Sequence, residues 1–163
     1  MPAGPVYLVG AGPGHPGLIT VRGRQVLERA EVLIYDTPCA EALLEAAPAG
    51  AERVAVGRWI GDGARLPQAE INALMIDRAR SGRTVVRLKV GDPFLFGRGD
   101  EEAQALAEAG LLFEVVPGVP AALAAAAWAG IPLAPKGSCS EIRLVIVQAG
   151  EDHDKADQAA NGV

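Results

Sequence analysis

The chain has 163 residues, the length of a single domain. Hydrophobic residues make up 50% and charged residues 21%, a globular composition that excludes a disordered chain. The net charge of −5 provides no cationic surface for nucleic acid or an anionic membrane. Two cysteines and two histidines, all far apart, exclude a disulfide framework and form no metal-ligand cluster. We therefore expect a soluble cytoplasmic domain that binds no metal, no nucleic acid and no membrane.

Two features bear on targeting and membrane insertion. The first basic residue, Arg22, follows the first apolar run, so the N-terminus does not resemble a secretory signal. Residues 115–135 carry no charge and would be long enough to cross a bilayer. Four prolines interrupt this stretch and its middle is rich in alanine, so we expect a buried helix there, Ala121–Gly130, and no membrane span.

Short runs rich in β-branched residues alternate with stretches of helical periodicity. In chain order, the predicted elements are a strand Val6–Val9, a helix Leu18–Ala30, a strand Glu31–Asp36, a helix Cys39–Ala47, a strand Arg53–Val56, a helix from Pro67 to its cap Gly82, a strand Thr84–Lys89, a helix Asp100–Ala109, a strand Phe113–Val116, the helix Ala121–Gly130 and a strand Ile142–Val147.

This alternation predicts an α/β fold, a mostly parallel open sheet with helices on both faces. Each predicted strand is mainly apolar, as burial on both faces requires. In such sheets, ligands bind beyond the carboxyl ends of the strands. Glycines, prolines and isolated charges collect after four of the predicted strands, in Gly10–Gly17, Asp36, Gly91–Gly99 and Pro117–Pro120. The sequence therefore predicts one ligand-binding edge.

The glycines after the first strand fit a dinucleotide-binding fingerprint. Residues 12–17 match G-x-G-x-x-G, and Asp36 ends the next strand, as in nicotinamide-dependent enzymes. Pro13 and Pro16 each remove a backbone N–H donor that a pyrophosphate would need. A tight turn without a ligand is the alternative interpretation.

The loop after the fourth strand is the second candidate site. Gly91 permits close approach of a ligand, and Asp92 could accept a hydrogen bond from a ligand hydroxyl or ammonium. Alternatively, Asp92 belongs only to a turn, and the acidic residues 100–102 only begin a helix, where its dipole favours them. This alternative leaves Arg98 unexplained, because the dipole disfavours a cation just before a helix.

Five blocks, taken in order, resemble the tetrapyrrole methylase family, and within it the branch that methylates uroporphyrinogen III. These blocks are Val6–Gly14, Leu66–Asn72, Arg87–Gly99, Phe113–Gly118 and Ala129–Leu133. The resemblance implies a two-domain α/β enzyme, usually a homodimer, with S-adenosylmethionine bound in the cleft between the domains. Such an enzyme methylates ring carbons C2 and C7 to give precorrin-2, a precursor of sirohaem and cobalamin, and releases S-adenosylhomocysteine.

The resemblance also implies roles for individual residues. The cofactor contacts that it implies are Pro13, Val90, Gly91, Asp92, Leu95, Pro120 and Ala121. Arg98 and Glu101 correspond to a catalytic pair for substrate binding and proton handling, and Asp36 would face the tetrapyrrole. We expect Arg98 to orient the substrate, since arginine would need an unusual pKa to act as a base. The carboxylates of such a substrate would need local cations, for which the candidates are Arg22, Arg58, Arg65 and Arg98.

The chain departs from the family pattern at Val90, where a glycine is usual, and at Pro120, where a threonine is usual. We expect residues 1–135 to form the N-terminal domain, 136–150 an interdomain segment with the first strand of a second domain that is absent, and 151–163 a disordered tail. Three functions stay open: a methyltransferase active as a complete protein, a truncated cofactor-binding or structural module without catalysis, and a nicotinamide-dependent oxidoreductase.

Overall fold

The structure, a computed structural model, describes residues 2–36, 41–57, 66–138 and 140–145. Within these residues the strands are β1 Val6–Gly10, β2 Val32–Tyr35, β3 Glu52–Ala55, β4 Val85–Lys89 and β5 Phe113–Val116. The helices are α1 Val21–Leu27, α2 Glu41–Leu44, α3 Gln68–Arg80, α4 Gly99–Glu108 and α5 Ala121–Trp128, and a 3-10 turn Pro16–Leu18 precedes α1. The predicted elements up to α5 are thus confirmed, with ends displaced by a few residues, although the predicted start of α2 lies outside the described residues.

The strands form one parallel sheet in the order β3-β2-β4-β1-β5, which confirms the predicted fold class. Helices α1 and α2, on the connections that run toward β3, pack on one face, and α3 and α4, on the connections that run back toward β5, pack on the other. Right-handed crossovers require this division. The connection that leaves β1 therefore runs toward β3, and the connection that leaves the neighbouring strand β4 runs toward β5. A crevice is expected between the carboxyl ends of these two strands.

The core has two apolar layers that share the three central strands. Leu33, Val86 and Leu88 face α1 and α2, whereas Ile34 and Val85 face α3 and α4. The edge strands β3 and β5 are only partly buried. The prediction that every strand is buried on both faces therefore holds for β1, β2 and β4 but is wrong for the two edges, because each edge strand has a single neighbour.

Two predictions near the end of the chain are wrong for the residues described. Helix α5 forms, but Ala124 is its one buried residue and the side chain of Trp128 is 63% exposed. Residues 142–145 of the predicted last strand have no regular secondary structure and are exposed, since no described strand pairs with them. The rest of that strand and residues 151–163 lie outside the described residues, so the proposed domain division stays a prediction. No helix among the described residues is long and apolar enough to cross a membrane.

Candidate functional site

The loops that follow β4, β1 and β5 meet at one rim of the sheet, as the sequence predicts. Gly12 N donates to Gly91 O over 3.2 Å, and Gly91 N donates to Gly12 O over 2.8 Å. A Cβ atom at Gly118 would lie only 2.1 Å from Gly91 O and 2.7 Å from the Cα atom of Gly10. The three loops therefore pack backbone against backbone at this rim, where no side chain fits.

Asp92 ties two of these loops together. Its Oδ1 accepts a hydrogen bond from Phe94 N at 2.9 Å, and its Oδ2 accepts one from Gly118 N at 3.0 Å. Each carboxylate oxygen thus already holds a backbone N–H, one within its own loop and one in the loop after β5. Asp92 acts first as a clamp on the rim, a role that its position in a predicted turn did not reveal.

A cleft of about 340 Å³ opens beside the rim. The residues that line it are Asp36, Lys89, Val90, Gly91, Asp92, Leu95, Phe96, Gly97, Pro120, Ala121 and Ala122. They include every residue that the resemblance assigns to the cofactor except Pro13, which lies in the loop after β1 outside this lining, and they include Asp36 of the substrate side. The lining is mainly apolar, and its charged residues are Asp36, Lys89 and Asp92.

The loop after β4 has an unusual backbone at Phe96. This residue has a φ of 56°, in the left-handed region that bulky residues rarely adopt, and its side chain is 55% exposed. Gly99 supports the same loop, because a Cβ atom there would lie 2.0 Å from Pro93 O. The loop is thus folded tightly, with Phe96 exposed at the cleft.

At one wall of the cleft lies a cluster of charges, which we call the β4 charge cluster: Asp36, which is partly exposed, and the buried Arg87, Lys89 and Glu102. Arg87 Nε donates to Glu102 Oε1 at 2.9 Å, and Arg87 Nη2 donates to Asp36 Oδ1 at 2.7 Å. Lys89 Nζ lies 2.9 Å from Glu102 Oε2, without the alignment of a hydrogen bond. Burial alone would lower the pKa of Arg87, but the charges of Asp36 and Glu102 outweigh it, and the pKa is raised above its ordinary value.

The sequence interpretation missed this cluster. Glu102 does stand in the acidic first turn of α4, as expected, but it is fully buried and serves as the partner of the β4 cations. The available signal was the presence of Arg87 and Lys89 in an otherwise apolar strand. Buried cations need carboxylates, and the chain order alone does not say which carboxylates those are.

The predicted catalytic pair, Arg98 and Glu101, is joined by two hydrogen bonds. Arg98 Nε lies 2.6 Å from Glu101 Oε1, and Arg98 Nη2 lies 2.8 Å from Glu101 Oε2, with both side chains about half exposed. The hydrogen bond raises the pKa of Arg98 and lowers the pKa of Glu101. Glu101 thus compensates the cation that precedes α4. Neither residue lines the cleft, although Gly97, next to Arg98, does.

Two other predictions concern the cations Arg22, Arg58 and Arg65 and the glycine loop after β1. Arg22 pairs with Glu114, with 2.6 Å between Nη2 and Oε2, while Arg58 and Arg65 lie outside the described residues. In the G-x-G-x-x-G loop, Gly17 N donates to His15 Nδ1, and Gly12 N is bonded to the neighbouring loop. These N–H groups are therefore not directed to a pyrophosphate, and the geometry disfavours nicotinamide binding.

The chain is similar in sequence to siroheme synthases and to a uroporphyrinogen III methyltransferase. It is 52% identical over 143 residues to a siroheme synthase of Chromobacterium violaceum, covering 88% of this chain and 30% of that protein. It is 46% identical over 142 residues to an S-adenosyl-L-methionine-dependent uroporphyrinogen III methyltransferase of Methanosarcina barkeri, covering 87% of this chain and 55% of that protein. The chain thus spans about half or less of the length of these relatives.

Solved structures give the same relationship. A uroporphyrin-III-C-methyltransferase from Thermus thermophilus matches with a TM-score of 0.72 and 47% identity, over 82% of this chain and 56% of that one. A structure of this methyltransferase complexed with S-adenyl homocysteine matches with a TM-score of 0.70 and 43% identity, over 85% and 57% of the two chains. The family model described as Tetrapyrrole (Corrin/Porphyrin) Methylases matches residues 5–162. The chain therefore belongs to the tetrapyrrole methylase family.

Proposed function

We propose that this chain takes part in the S-adenosylmethionine-dependent methylation of uroporphyrinogen III at C2 and C7, which gives precorrin-2. The observation that carries the proposal is the cleft at the rim, where the loops after β4 and β5 bring Val90, Gly91, Leu95, Pro120 and Ala121 together. The names of the relatives support it, since the Methanosarcina barkeri protein is a methyltransferase of this kind.

The cleft fits the methyl donor by shape and by polarity. Gly10 and Gly118 leave backbone, with no side chain, at the rim, and Val90 and Ala121 give apolar surface for a flat adenosine group. Pro120 stands where the family usually has a threonine, so contact there depends on shape and not on a hydroxyl donor. Bound S-adenosylmethionine supplies a methyl group on a sulfonium. The rigid rim supplies orientation, which in favourable cases contributes about 7–11 kcal/mol.

We assign the substrate side to Asp36, Arg98 and Glu101. With its raised pKa, Arg98 stays a cation and orients the acidic tetrapyrrole, and it does not act as the base. Glu101 tunes that cation through two hydrogen bonds. Loss of a proton from the methylated ring still needs a base, and a positioned base typically contributes about 10²–10⁴-fold.

We further propose that the protein works in the cytoplasm as a homodimer and that its product feeds sirohaem or cobalamin synthesis. Exposed apolar side chains near β5 and α5, on Leu112, Trp128 and Ile131, provide surface for association. The same surface favours a second candidate function. In this alternative, the chain is a cofactor-binding module that transfers methyl groups only together with another polypeptide.

Two measurements test the proposal. Calorimetric titration of the 163-residue chain with S-adenosylhomocysteine is expected to show binding, with NADH as the negative control. A chimera in which residues 5–133 replace the matching part of the Thermus thermophilus enzyme is expected to transfer labelled methyl groups to uroporphyrinogen III. A chimera that folds and binds S-adenosylhomocysteine but transfers no methyl group would contradict the methyltransferase proposal. Binding of S-adenosylhomocysteine by the chain together with no methyl transfer by the chimera would favour the module.

The same chimera tests the role of Arg98. Arg98→Ala is expected to lower turnover strongly. It is expected to change the free energy of unfolding little, because the ion pair between Arg98 and Glu101 is half exposed. Loss of folding stability together with normal activity per folded molecule would contradict this role.

A further inference from the structure

The β4 charge cluster extends from the buried interior to the cleft. Asp36 and Lys89 line the cleft, whereas Arg87 is 2% exposed and Glu102 is completely buried beneath them. The formal charges of the four side chains cancel. The proposed function uses Asp36 alone and gives no role to Arg87 or Glu102.

Arg87 is fixed in a single orientation by all of its nitrogen atoms. Its Nε donates to Glu102 Oε1, its Nη1 donates to Leu88 O at 3.2 Å, and its Nη2 donates to Asp36 Oδ1. Glu102 is fixed in turn, because Gln68 Nε2 donates to the same Oε1 at 3.2 Å. The guanidinium of Arg87 therefore links Glu102 on α4 to the carboxylate of Asp36, which follows β2, and fixes the position of that carboxylate relative to α4.

Folding stability alone is a poor reason for such a cluster. The desolvation of buried ions largely cancels their attraction, and apolar residues of similar volume often serve as well. Val85, on the same face of β4 as Arg87, is apolar, and so is Leu106, one turn after Glu102 on α4. A leucine-like packing would suit this interface, so the charges are better explained by what they hold at the cleft.

We propose that Arg87, anchored by Glu102, is a positioning residue that fixes the carboxylate of Asp36 at the cleft wall to accept hydrogen bonds from the pyrrole N–H groups of the tetrapyrrole. This inference rests on the proposed function and names the part of the substrate that Asp36 contacts. A fixed carboxylate repels the acidic side chains at the edge of a uroporphyrinogen and attracts the N–H donors at its centre. Asp36 therefore faces the centre of the macrocycle.

The test is a double-mutant cycle in the full 163-residue chain. Binding of uroporphyrinogen III is measured by oxygen-free equilibrium dialysis, with later oxidation to the fluorescent porphyrin for quantitation, and S-adenosylhomocysteine binding is measured by calorimetry. Asp36→Asn and Arg87→Met are each expected to weaken uroporphyrinogen binding about tenfold, the size of one hydrogen bond to a charged group. The affinity for S-adenosylhomocysteine is expected to change less than about twofold in both variants.

Coupling between the two substitutions distinguishes positioning from a structural role. If Arg87 acts through Asp36, the double variant binds uroporphyrinogen no more weakly than Asp36→Asn alone. Arg87→Lys keeps the cation and is expected to recover part of the affinity, and it serves in the cycle if Arg87→Met does not fold. Arg78→Met is the matched control, because it removes another arginine that is bonded to a glutamate, on α3. It is expected to leave uroporphyrinogen binding unchanged.

Three outcomes would overturn the inference: additive losses in the double variant, unchanged uroporphyrinogen binding in Arg87→Met, or an equal loss of S-adenosylhomocysteine affinity. If the unsubstituted chain binds S-adenosylhomocysteine but no uroporphyrinogen, the proposed substrate is contradicted, and this inference with it. Normal binding by the unsubstituted chain together with additive losses overturns this inference alone.

Discussion

The rim and the β4 charge cluster lie side by side at the cleft, yet they are held together by opposite means. At the rim, Gly10, Gly91 and Gly118 bring three backbones into contact, and the side chain of Asp92 ties the loop after β4 to the loop after β5. In the cluster, Arg87 and Glu102 form a buried ion pair. The first arrangement does not tolerate added volume, and the second does not tolerate a lost charge. Substitutions of these two kinds therefore test whether the distinction is real.

The largest effect is expected from Glu102→Gln. This change leaves Arg87 and Lys89 buried with a single carboxylate, and such a loss typically costs about 3–5 kcal/mol. The matched control is Glu101→Gln, because Glu101 also pairs with an arginine but is about half exposed, and the expected cost is below about 1 kcal/mol. Urea unfolding of both variants measures the difference. Equal losses would show that burial does not distinguish the two glutamates.

Much of the rim could be predicted from the sequence, because it depends on individual residues whose effect is local. Glycines placed directly after apolar strands indicate close backbone approach, and parallel strands bring such loops to one edge. The charge cluster could not be predicted in the same way. Arg87 indicates that a carboxylate partner is needed, but Asp36 and Glu102 lie 51 and 15 residues away in the chain and are selected only by the strand order and the placement of α4.

The second largest effect is expected from Gly118→Ala. The new methyl group would lie 2.1 Å from Gly91 O, so the loops must separate, and overpacking of this kind typically costs about 1–3 kcal/mol. Binding of S-adenosylhomocysteine is expected to weaken as well, because the rim borders the cleft. Gly50→Ala is the control, since nothing lies within 4 Å of its added Cβ atom and its effect should stay within about 0.5 kcal/mol. Indistinguishable unfolding curves for the two variants would contradict backbone contact at the rim.

Helix α5 shows a different limit of sequence-based prediction. Its apolar composition and its bounds were predictable, but its burial was not, because burial depends on what packs against the helix. Within the described chain, little covers Leu123 and Trp128, which are 41% and 63% exposed. An apolar sequence therefore indicates surface available for packing, and only the arrangement of the other elements decides whether that surface is covered.

A smaller effect is expected from Asp92→Asn, which keeps the size of the clamp and changes its hydrogen bonding. Both carboxylate oxygens accept backbone N–H groups, whereas an asparagine amide presents one oxygen and one NH₂ group. In either amide orientation one donor faces another donor, and we expect a loss of about 1 kcal/mol. The thermal unfolding midpoint and S-adenosylhomocysteine affinity check this. A variant unchanged in both would show that the tie between Asp92 and Gly118 contributes nothing to the rim.

The smallest effect concerns Glu52, which repeats the charge pattern of Glu102 in a more exposed place. Glu52 lies between Arg78 and Arg83, and each of the three side chains is about one-third exposed. The hydrogen bond from Arg78 is the main reason that the pKa of Glu52 lies below its ordinary value of 4.5. Between the folded pKa and this ordinary value, the unfolded chain binds more protons than the folded chain. The stabilisation by Glu52 is therefore fully present above the ordinary value and is lost as the pH falls through the folded pKa.

The measurement is the difference in unfolding free energy between the unsubstituted chain and Glu52→Gln, taken from about pH 7 to about pH 3. The difference is expected to be modest at neutral pH, because partly exposed ion pairs contribute little, and to shrink toward zero in acid. Glu28→Gln, at an exposed pair with Arg24, is the control and should show a smaller difference at neutral pH. A difference for Glu52→Gln that stays constant with pH would mean that the charge of this glutamate does not stabilise the fold. Only buried ion pairs, such as that of Glu102, would then be expected to stabilise the fold through their charge.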